Sequence, residues 1–295
     1  MDSYIISCCS TADLTEQQFI DRQIPYICYH FEMNGQQYLD DLGSTMSFTE
    51  FYGAMANGAD TKTSQINAEE FMGFFEPFLK DGKDILHICL SSGLSGVFNS
   101  ANIAKEELLQ KYPERTIYIV DSLAASSGCG LLVDKLADLR DDGRSLKELY
   151  DWAEENKLRM HHWFFSTDLS FFIKGGRISK TAGMIGNVLN ICPLLNVDEH
   201  GCLIPRLKIR GKKKVIQTIV DKMKEYAQNG TAYNGKCYIS HSACMEDAQA
   251  VARMVEENFP SLAGKVQIYD IGTTIGSHTG PGTVALFFWG SERKE

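Results

Sequence analysis

The chain has 295 residues, of which 44% are hydrophobic, so it is long enough to form two globular domains with real cores. Its formal net charge of −9 argues against a nucleic-acid-binding protein, because such proteins usually present a basic face. No apolar run reaches the roughly 18 residues that a membrane span requires. The first residues also lack the basic and apolar pattern of a signal peptide. We therefore expect a cytoplasmic protein without an integral membrane segment.

The cysteines and histidines show no pattern typical of a metal site. The nine cysteines are odd in number, none are spaced as C-x-x-C, and most lie in apolar runs. The seven histidines also lack metal-binding spacing. This usage predicts buried free thiols in a reducing compartment, and no structural or catalytic metal or other cofactor.

Strands and helices alternate over the first 160 residues. The strongest local signals are Asn34-Gly35, which is typical of a hairpin turn, and Ser47 with Glu50, which have capping-box spacing. The segment 61–65 is predicted to be a polar loop. Strands are predicted at 4–8, 24–31, 36–42, 85–90 and 116–122, and helices at 16–22, 47–57, 68–80, 131–140 and 145–157. The alternation predicts an α/β fold with a mainly parallel open sheet and helices on both faces.

The pattern changes near residue 160, where strands begin to follow one another. The turn at 198–201 lies between two strand-like runs and predicts a hairpin. Strands are predicted at 160–168, 194–197, 203–209, 236–240, 265–271 and 283–289, and helices at 169–173, 181–189, 213–228 and 245–259. We therefore predict two domains: an N-terminal α/β domain at 1–160, and a C-terminal α+β domain at 161–295 with a largely antiparallel sheet.

The most informative stretch is 84–102, which is typical of a strand, a turn of small residues and a helix. Ile85–Leu90 is a short apolar run, Ser91–Gly96 forms the turn, and a helical period starts at Phe98. Such a turn leaves backbone N–H groups free at the helix N-terminus, where an anion is favoured. The three serines add hydroxyl donors. The stretch therefore predicts a bound anion, and the alternative that the serines only cap the helix stays open.

Three further polar stretches are candidates for a site. Thr61–Gln65 is rich in hydroxyl groups, although it could simply cap the next helix. Lys174–Ser179 carries a double glycine before Arg177, which lets the backbone approach a ligand closely, although it could be a helix C-cap with a surface arginine. Gly276–Gly282 surrounds His278 with small and polar residues between two strands. The alternative for this last stretch is a Gly/Pro-rich turn with a bystander histidine.

Together these stretches resemble motifs of the DegV family, whose members bind fatty acids. The resemblance covers nearly the whole chain, and it is specific because five short motifs occur in the right order. The motifs are Thr63-Ser64-Gln65, Ser91–Gly96, Val120-Asp121-Ser122, Gly175–Ser179 and His278–Gly282. One departure is visible. Many members carry Asp-Ser near the end of the first strand, where this chain has Cys8-Cys9-Ser10.

The resemblance implies a long-chain fatty acid held between the two domains. A carboxylate accepts several hydrogen bonds, and hydroxyls together with helix N–H groups can supply them. The residues implied to bind the carboxylate are Thr63, Ser95, Gly96 and His278. The residues implied to support the head-group site are Ser64, Ser92 and Arg177.

The resemblance also implies a partner. Family members of known role are acyl-binding subunits of a fatty-acid kinase, and they present the carboxylate to a separate ATP-binding subunit. This chain would then be a carrier without a complete catalytic site. The sequence contains no G-x-x-x-x-G-K-[ST] phosphate-binding loop, in agreement with that expectation.

Two alternatives from other classes stay open. Ser95, Asp121 and His278 follow the chain order of an α/β-hydrolase triad, which would make the protein a serine hydrolase or esterase. The G-x-S-x-G pattern fails, however, because Val97 stands where the last glycine belongs. The second alternative is a binder of phosphate compounds that uses the same helix N-terminus.

Overall fold

The structure, a computed structural model, describes residues 4–179 and 191–294. The helix predicted at 181–189 lies outside these residues. No helix within the two ranges is both long and apolar enough to cross a membrane. The strands are β1 (Tyr4–Cys9), β2 (Tyr26–Ile27), β3 (His30–Met33), β4 (Gln36–Leu39), β5 (Thr61–Ser64), β6 (Asp84–Cys89), β7 (Ile117–Asp121), β8 (Met160–Ser166), β9 (Ile191–Val197), β10 (Leu203–Arg210), β11 (Tyr238–His241), β12 (Gln267–Asp270) and β13 (Thr283–Trp289). The α-helices are α1 (Glu16–Asp21), α2 (Phe48–Ala56), α3 (Ala68–Lys80), α4 (Val97–Lys111), α5 (Ser127–Asp141), α6 (Leu146–Asn156), α7 (Ser170–Lys174), α8 (Lys212–Tyr226), α9 (Met245–Asn258) and α10 (Thr273–Thr279).

The first sheet is parallel, with strand order β2-β1-β6-β7. Its strands are apolar on both faces because helices cover both. Ile85 and Ile117 pack on the side of α3 and α4, whereas Leu86 and Val120 pack on the side of α5 and α6. The predicted parallel sheet with helices on both faces is confirmed.

A small antiparallel sheet with order β4-β3-β5 lies beside the parallel one. The hairpin at Asn34-Gly35 is confirmed, since Met33 pairs with Gln36. The loop predicted at 61–65 is wrong: Thr61–Ser64 is an edge strand, and Thr63 pairs with Phe31 of β3. An edge strand can keep polar side chains in water while its backbone is paired, so its polar sequence does not reveal it.

The third sheet has the order β10-β9-β8-β13-β11-β12. Among the described strands of this sheet only β11 and β12 pair in parallel, so the prediction of a largely antiparallel sheet is confirmed. Side chains alternate between its two faces. Phe165 and Leu286 point to α8 and α9, whereas Phe164 and Phe287 point to the N-terminal half of the chain.

Helix α5 is buried between the parallel sheet and the third sheet. Ten of its fifteen residues are buried, and its side chains join one core with residues of both sheets. A Cβ on Gly128 would collide with the His162 ring, and one on Gly130 would collide with the Ala12 carbonyl oxygen. The two glycines therefore let α5 approach both neighbours closely. The domain boundary near residue 160 stays a prediction.

Replacing Leu286 with alanine tests the core under the third sheet. Leu286 is fully buried on β13, so Leu286→Ala should lower the free energy of unfolding by about 2–5 kcal/mol. The control is Leu207→Ala on the edge strand β10, where the side chain is 40% exposed and the expected change is within about 0.5 kcal/mol. The free energy of unfolding of both variants is measured by urea denaturation. Equal effects of the two substitutions would contradict this core.

Candidate functional site

A cavity of about 440 Å³ lies between the C-terminal ends of the parallel strands and the inner face of the third sheet. This volume is within the range of small-molecule sites. Most of its wall is apolar. The apolar lining residues are Leu90, Leu94, Ala125, Phe164, Phe172, Val197, Leu203, Ile271, Ile275, Ala285 and Phe287.

Five of the seven predicted site residues line this one cavity: Thr63, Ser95, Gly96, Arg177 and His278. They come from β5, the turn before α4, the segment after α7, and α10. Each is at least partly exposed, whereas seven of the eleven apolar lining residues are buried. The cavity therefore has a polar end, formed by these five residues, and a mostly buried apolar wall.

The remaining two predicted residues, Ser64 and Ser92, do not line the cavity. Both are exposed. The side chain of Ser64 leaves the edge strand on the face opposite to Thr63, as the alternation of a strand requires. Their supporting role rests on the sequence alone and stays a prediction.

The turn Ser91–Gly96 has a structural part and a part that faces the cavity. Ser91 holds the turn together: its Oγ accepts a hydrogen bond from the Gly93 N–H at 3.1 Å and donates to the Gly201 carbonyl at 2.9 Å. Ser95 faces the cavity, and its Oγ accepts from the Tyr29 hydroxyl at 3.2 Å and from the Val97 N–H at 3.3 Å. Since Val97 opens α4, Ser95 caps this helix in part. Its own O–H still remains to donate to a ligand.

His278 lies on a short helix, α10, in a stretch for which the sequence predicts no helix. A carboxylate from another part of the chain caps this helix. The buried Asp40 accepts hydrogen bonds from the Thr273 N–H at 3.2 Å, the Thr273 Oγ at 2.8 Å and the Thr274 N–H at 3.4 Å. These contacts satisfy free donors at the start of the helix. Local sequence cannot show a cap that is more than 200 residues away.

The helix brings His278 against Thr63 and the glycine segment before Arg177. Nε2 of His278 lies 2.7 Å from Oγ1 of Thr63, whereas its Nδ1 is buried with no partner among the described residues. A Cβ on Gly175 would collide with this Nδ1. A glycine at position 175 is therefore required by the approach of the histidine, as the double-glycine motif suggested.

The electrostatics of the polar end favour an anion. Arg177 donates to the carbonyl oxygens of Gly175 at 2.5 Å and Leu94 at 3.1 Å, and no carboxylate within residues 4–179 and 191–294 forms an ion pair with it. Burial lowers the pKa of Arg177, and the nearby Tyr29 opposes this. Burial and the Arg177 charge lower the pKa of His278 to about 4, so the imidazole is neutral at pH 7.

Sequence reasoning missed Tyr29 and Asp40. Tyr29 lines the cavity and fixes Ser95, but it lies in an aromatic run that is indistinguishable from an ordinary strand. Asp40 holds the start of α10 and also accepts a hydrogen bond from the Ser10 hydroxyl at 3.2 Å. Neither residue carries a local pattern that could have indicated its role.

Known proteins resemble this chain in sequence and in fold. Residues 6–290 match the family model described as uncharacterised protein, DegV family. The chain is 39% identical over 294 residues to the DegV domain-containing protein CPE0026 of Clostridium perfringens, which covers 100% of both chains. It is similar to the solved structure of TM841 from Thermotoga maritima, described as revealing fatty acid binding function (25% identity, TM-score 0.83, 98% and 100% of the two chains).

The chain is also similar in fold to the Fatty Acid Kinase (Fak) B3 protein of Streptococcus pneumoniae, solved loaded with linoleic acid. The TM-score is 0.82 over 98% of this chain and 99% of that one, and the identity of 23% limits this likeness to the fold. The family model and the Clostridium relative cover nearly all of the sequence. The chain therefore belongs to the DegV family.

Proposed function

We propose that this protein binds a long-chain fatty acid, with the carboxylate at the polar end of the cavity and the tail along its apolar wall. One observation carries the proposal: an apolar cavity ends at two hydroxyls, a histidine and an arginine whose charge no described carboxylate neutralises. A ligand with one anionic end and a long apolar body complements both parts. The fatty acid binding described for the Thermotoga maritima protein supports the same ligand class.

The contacts divide the binding energy between the two ends of the ligand. Each buried CH₂ group contributes about 0.8 kcal/mol, so the tail supplies most of the affinity. Thr63, Ser95 and Arg177 can donate hydrogen bonds to the carboxylate, and these fix its position. The Thr63 hydroxyl would then turn from His278 to the ligand. Donation to a charged acceptor makes these bonds stronger than those between neutral groups.

The geometry disfavours the two alternatives. In a hydrolase the histidine would bind the serine, but His278 lies against Thr63, and no hydrogen bond joins it to Ser95 within the described ranges. The Asp121 carboxylate accepts from the N–H groups of Ser92 and Leu123, so it does not orient the imidazole. A phosphate group would make no favourable contact with the apolar wall of the cavity, so a phosphate compound complements only the polar end.

Removing either cavity hydroxyl should weaken fatty-acid binding. Thr63→Ala and Ser95→Ala each delete one hydrogen bond to a charged group, which is worth about 1.5–3 kcal/mol. The expected loss of affinity is roughly ten- to hundredfold. The affinity of each variant is measured by calorimetric titration of oleate into delipidated protein.

The matched controls are Thr231→Ala and Ser261→Ala, which remove exposed hydroxyls from residues that do not line the cavity. We expect both controls to keep nearly full affinity. If Thr63→Ala and Ser95→Ala bind as well as the controls, with unchanged circular dichroism, the carboxylate does not lie at this end of the cavity.

We further propose that the protein is a carrier that presents the carboxylate to a separate ATP-binding kinase subunit in the cytoplasm. Gly96 is exposed and the rest of the polar end is partly exposed, so a partner could reach the carboxylate while the tail stays buried. The fold shared with the Streptococcus pneumoniae Fak B3 protein is compatible with this role. All nine cysteines are free thiols, which supports a reducing compartment.

His278→Ala should separate binding from phosphorylation. The other head-group donors and the tail remain, so affinity should fall by less than about tenfold. Acyl-phosphate formation should fall much further, because the reacting oxygen must be held within a fraction of an ångström. The test combines an oleate titration with an assay that adds ATP and a cognate kinase subunit. If oleate affinity and acyl-phosphate formation fall by the same factor, His278 only contacts the head group and has no separate role in phosphorylation.

A further inference from the structure

Two thiols and one histidine form a cluster on one face of the parallel sheet, and none of the three lines the cavity. Cys9, His87 and Cys89 belong to the face that α3 and α4 cover, and all three are buried. Cys9 also lies in the Cys8-Cys9-Ser10 segment, where the chain departs from the common family pattern and which the proposed function does not explain.

Strand register places the two cysteines side by side. Strands β1 and β6 are parallel, with Ile6 opposite Leu86 and Cys8 opposite Ile88. One step further along the same register, Cys9 lies beside Cys89. Residues that are neighbours in register point to the same face, and adjacent strands lie ≈ 4.7–4.9 Å apart. That spacing is within the range of Cα separations that a disulfide can bridge.

Contacts with Cys89 and His87 favour the thiolate form of Cys9. Nδ1 of the imidazole lies 2.9 Å from the Ser7 hydroxyl, and its Nε2 lies 3.6 Å from the Cys9 sulfur. Burial raises the pKa of Cys9, but the contacts with the Cys89 thiol and His87 outweigh it and lower the pKa to about 6. The Cys89 pKa is raised well above its usual value by burial. Cys9 is thus suited to be the nucleophile and Cys89 the second thiol.

The pair lies directly behind the wall of the ligand cavity. Cys9 and Cys89 pack in one cluster with Tyr29 and Leu90, both of which line the cavity. Cys89 is also the last residue of β6, immediately before the turn that carries Ser95. A change at Cys89 therefore acts on the head-group end of the cavity through one short segment.

We propose that Cys9 and Cys89 form an oxidation-sensitive dithiol whose disulfide weakens ligand binding. The disulfide itself follows from the thiol cluster alone, whereas its effect on the ligand rests on the proposed fatty-acid function. The oxidant is a small peroxide.

The chemistry balances with hydrogen peroxide as the oxidant. The Cys9 thiolate attacks one peroxide oxygen, the O–O bond breaks, and hydroxide leaves, so Cys9 becomes a sulfenic acid. The Cys89 sulfur then attacks the Cys9 sulfur, the S–O bond breaks, and water leaves after proton transfer. In sum, two thiols and one peroxide give one disulfide and two water molecules. A dithiol reductant reverses the change by thiol–disulfide exchange.

The disulfide alters the turn because it shortens the distance between the two sulfurs. An S–S bond is about 2.05 Å long, with a narrow range of dihedral angles. The ends of β1 and β6 must therefore adjust, and Leu90 and the turn Ser91–Gly96 move with Cys89. We expect an affinity for oleate about tenfold lower, a coupling of the usual size between two sites.

The first experiment tests the disulfide without any ligand. Delipidated protein is treated with hydrogen peroxide, alkylated and digested, and the peptides are identified by mass spectrometry. We expect a crosslink between Cys9 and Cys89 that dithiothreitol removes. Cys9→Ala and Cys89→Ala should abolish it, whereas Cys8→Ala, whose thiol points to the other face of the sheet, should keep it. Oxidation to sulfinic acid without the crosslink would overturn the proposal.

The second experiment tests the coupling in both directions. Oleate affinity is measured for reduced and oxidised protein, and the oxidised fraction is measured in a glutathione redox buffer with and without saturating oleate. Thermodynamic linkage requires two factors to be equal: the ratio of the oleate affinities of reduced and oxidised protein, and the factor by which saturating oleate changes the ratio of reduced to oxidised protein. Equal oleate affinities of the two forms would overturn the coupling. A reduced protein that binds no oleate would overturn the fatty-acid function and the coupling with it, while the crosslink would still be read by the first experiment.

Discussion

The structure depends on one constraint: helix α5 must be buried on two sides at once. Small residues in its first turn let it lie against both the parallel sheet and the third sheet, and a single core joins all three elements. Helix α5 starts at Ser127, and Ala125 and Ser126 just before it line the apolar cavity. The cavity therefore lies at the N-terminal end of the helix.

The polar end of the cavity depends on distant parts of the chain meeting there. Thr63 comes from an edge strand, Ser95 from the turn before α4, and His278 from the end of α10. Asp40 holds α10 by its first residues, and the hydroxyl of Tyr52 donates to the Ile271 carbonyl at 2.7 Å just before it. The small antiparallel sheet and α2 thus position the histidine, although they contribute little to the cavity wall.

The sequence was sufficient to predict the elements whose apolar residues recur with the period of a helix or a strand. It was also sufficient to predict the site residues that belong to a recognisable motif. The capping box at Ser47, the hairpin at Asn34-Gly35 and the antiparallel third sheet are all found. Five of the seven predicted site residues share one cavity. The sequence missed features that depend on tertiary contacts. The edge strand at Thr61–Ser64 is polar because only its backbone is paired, and α10 requires a cap from Asp40.

The neutral His278 offers the most direct test of a bound carboxylate. In the free protein its pKa is about 4 because of burial and the Arg177 charge. An anion beside the ring favours the imidazolium form, so the pKa must rise when a carboxylate binds. NMR titration of histidine-labelled protein with saturating oleate should show the His278 midpoint clearly above that of the free protein, whereas oleyl alcohol, which has the same tail without the charge, should leave it near its free value. An unchanged His278 midpoint in the presence of bound oleate would contradict the placement of the carboxylate.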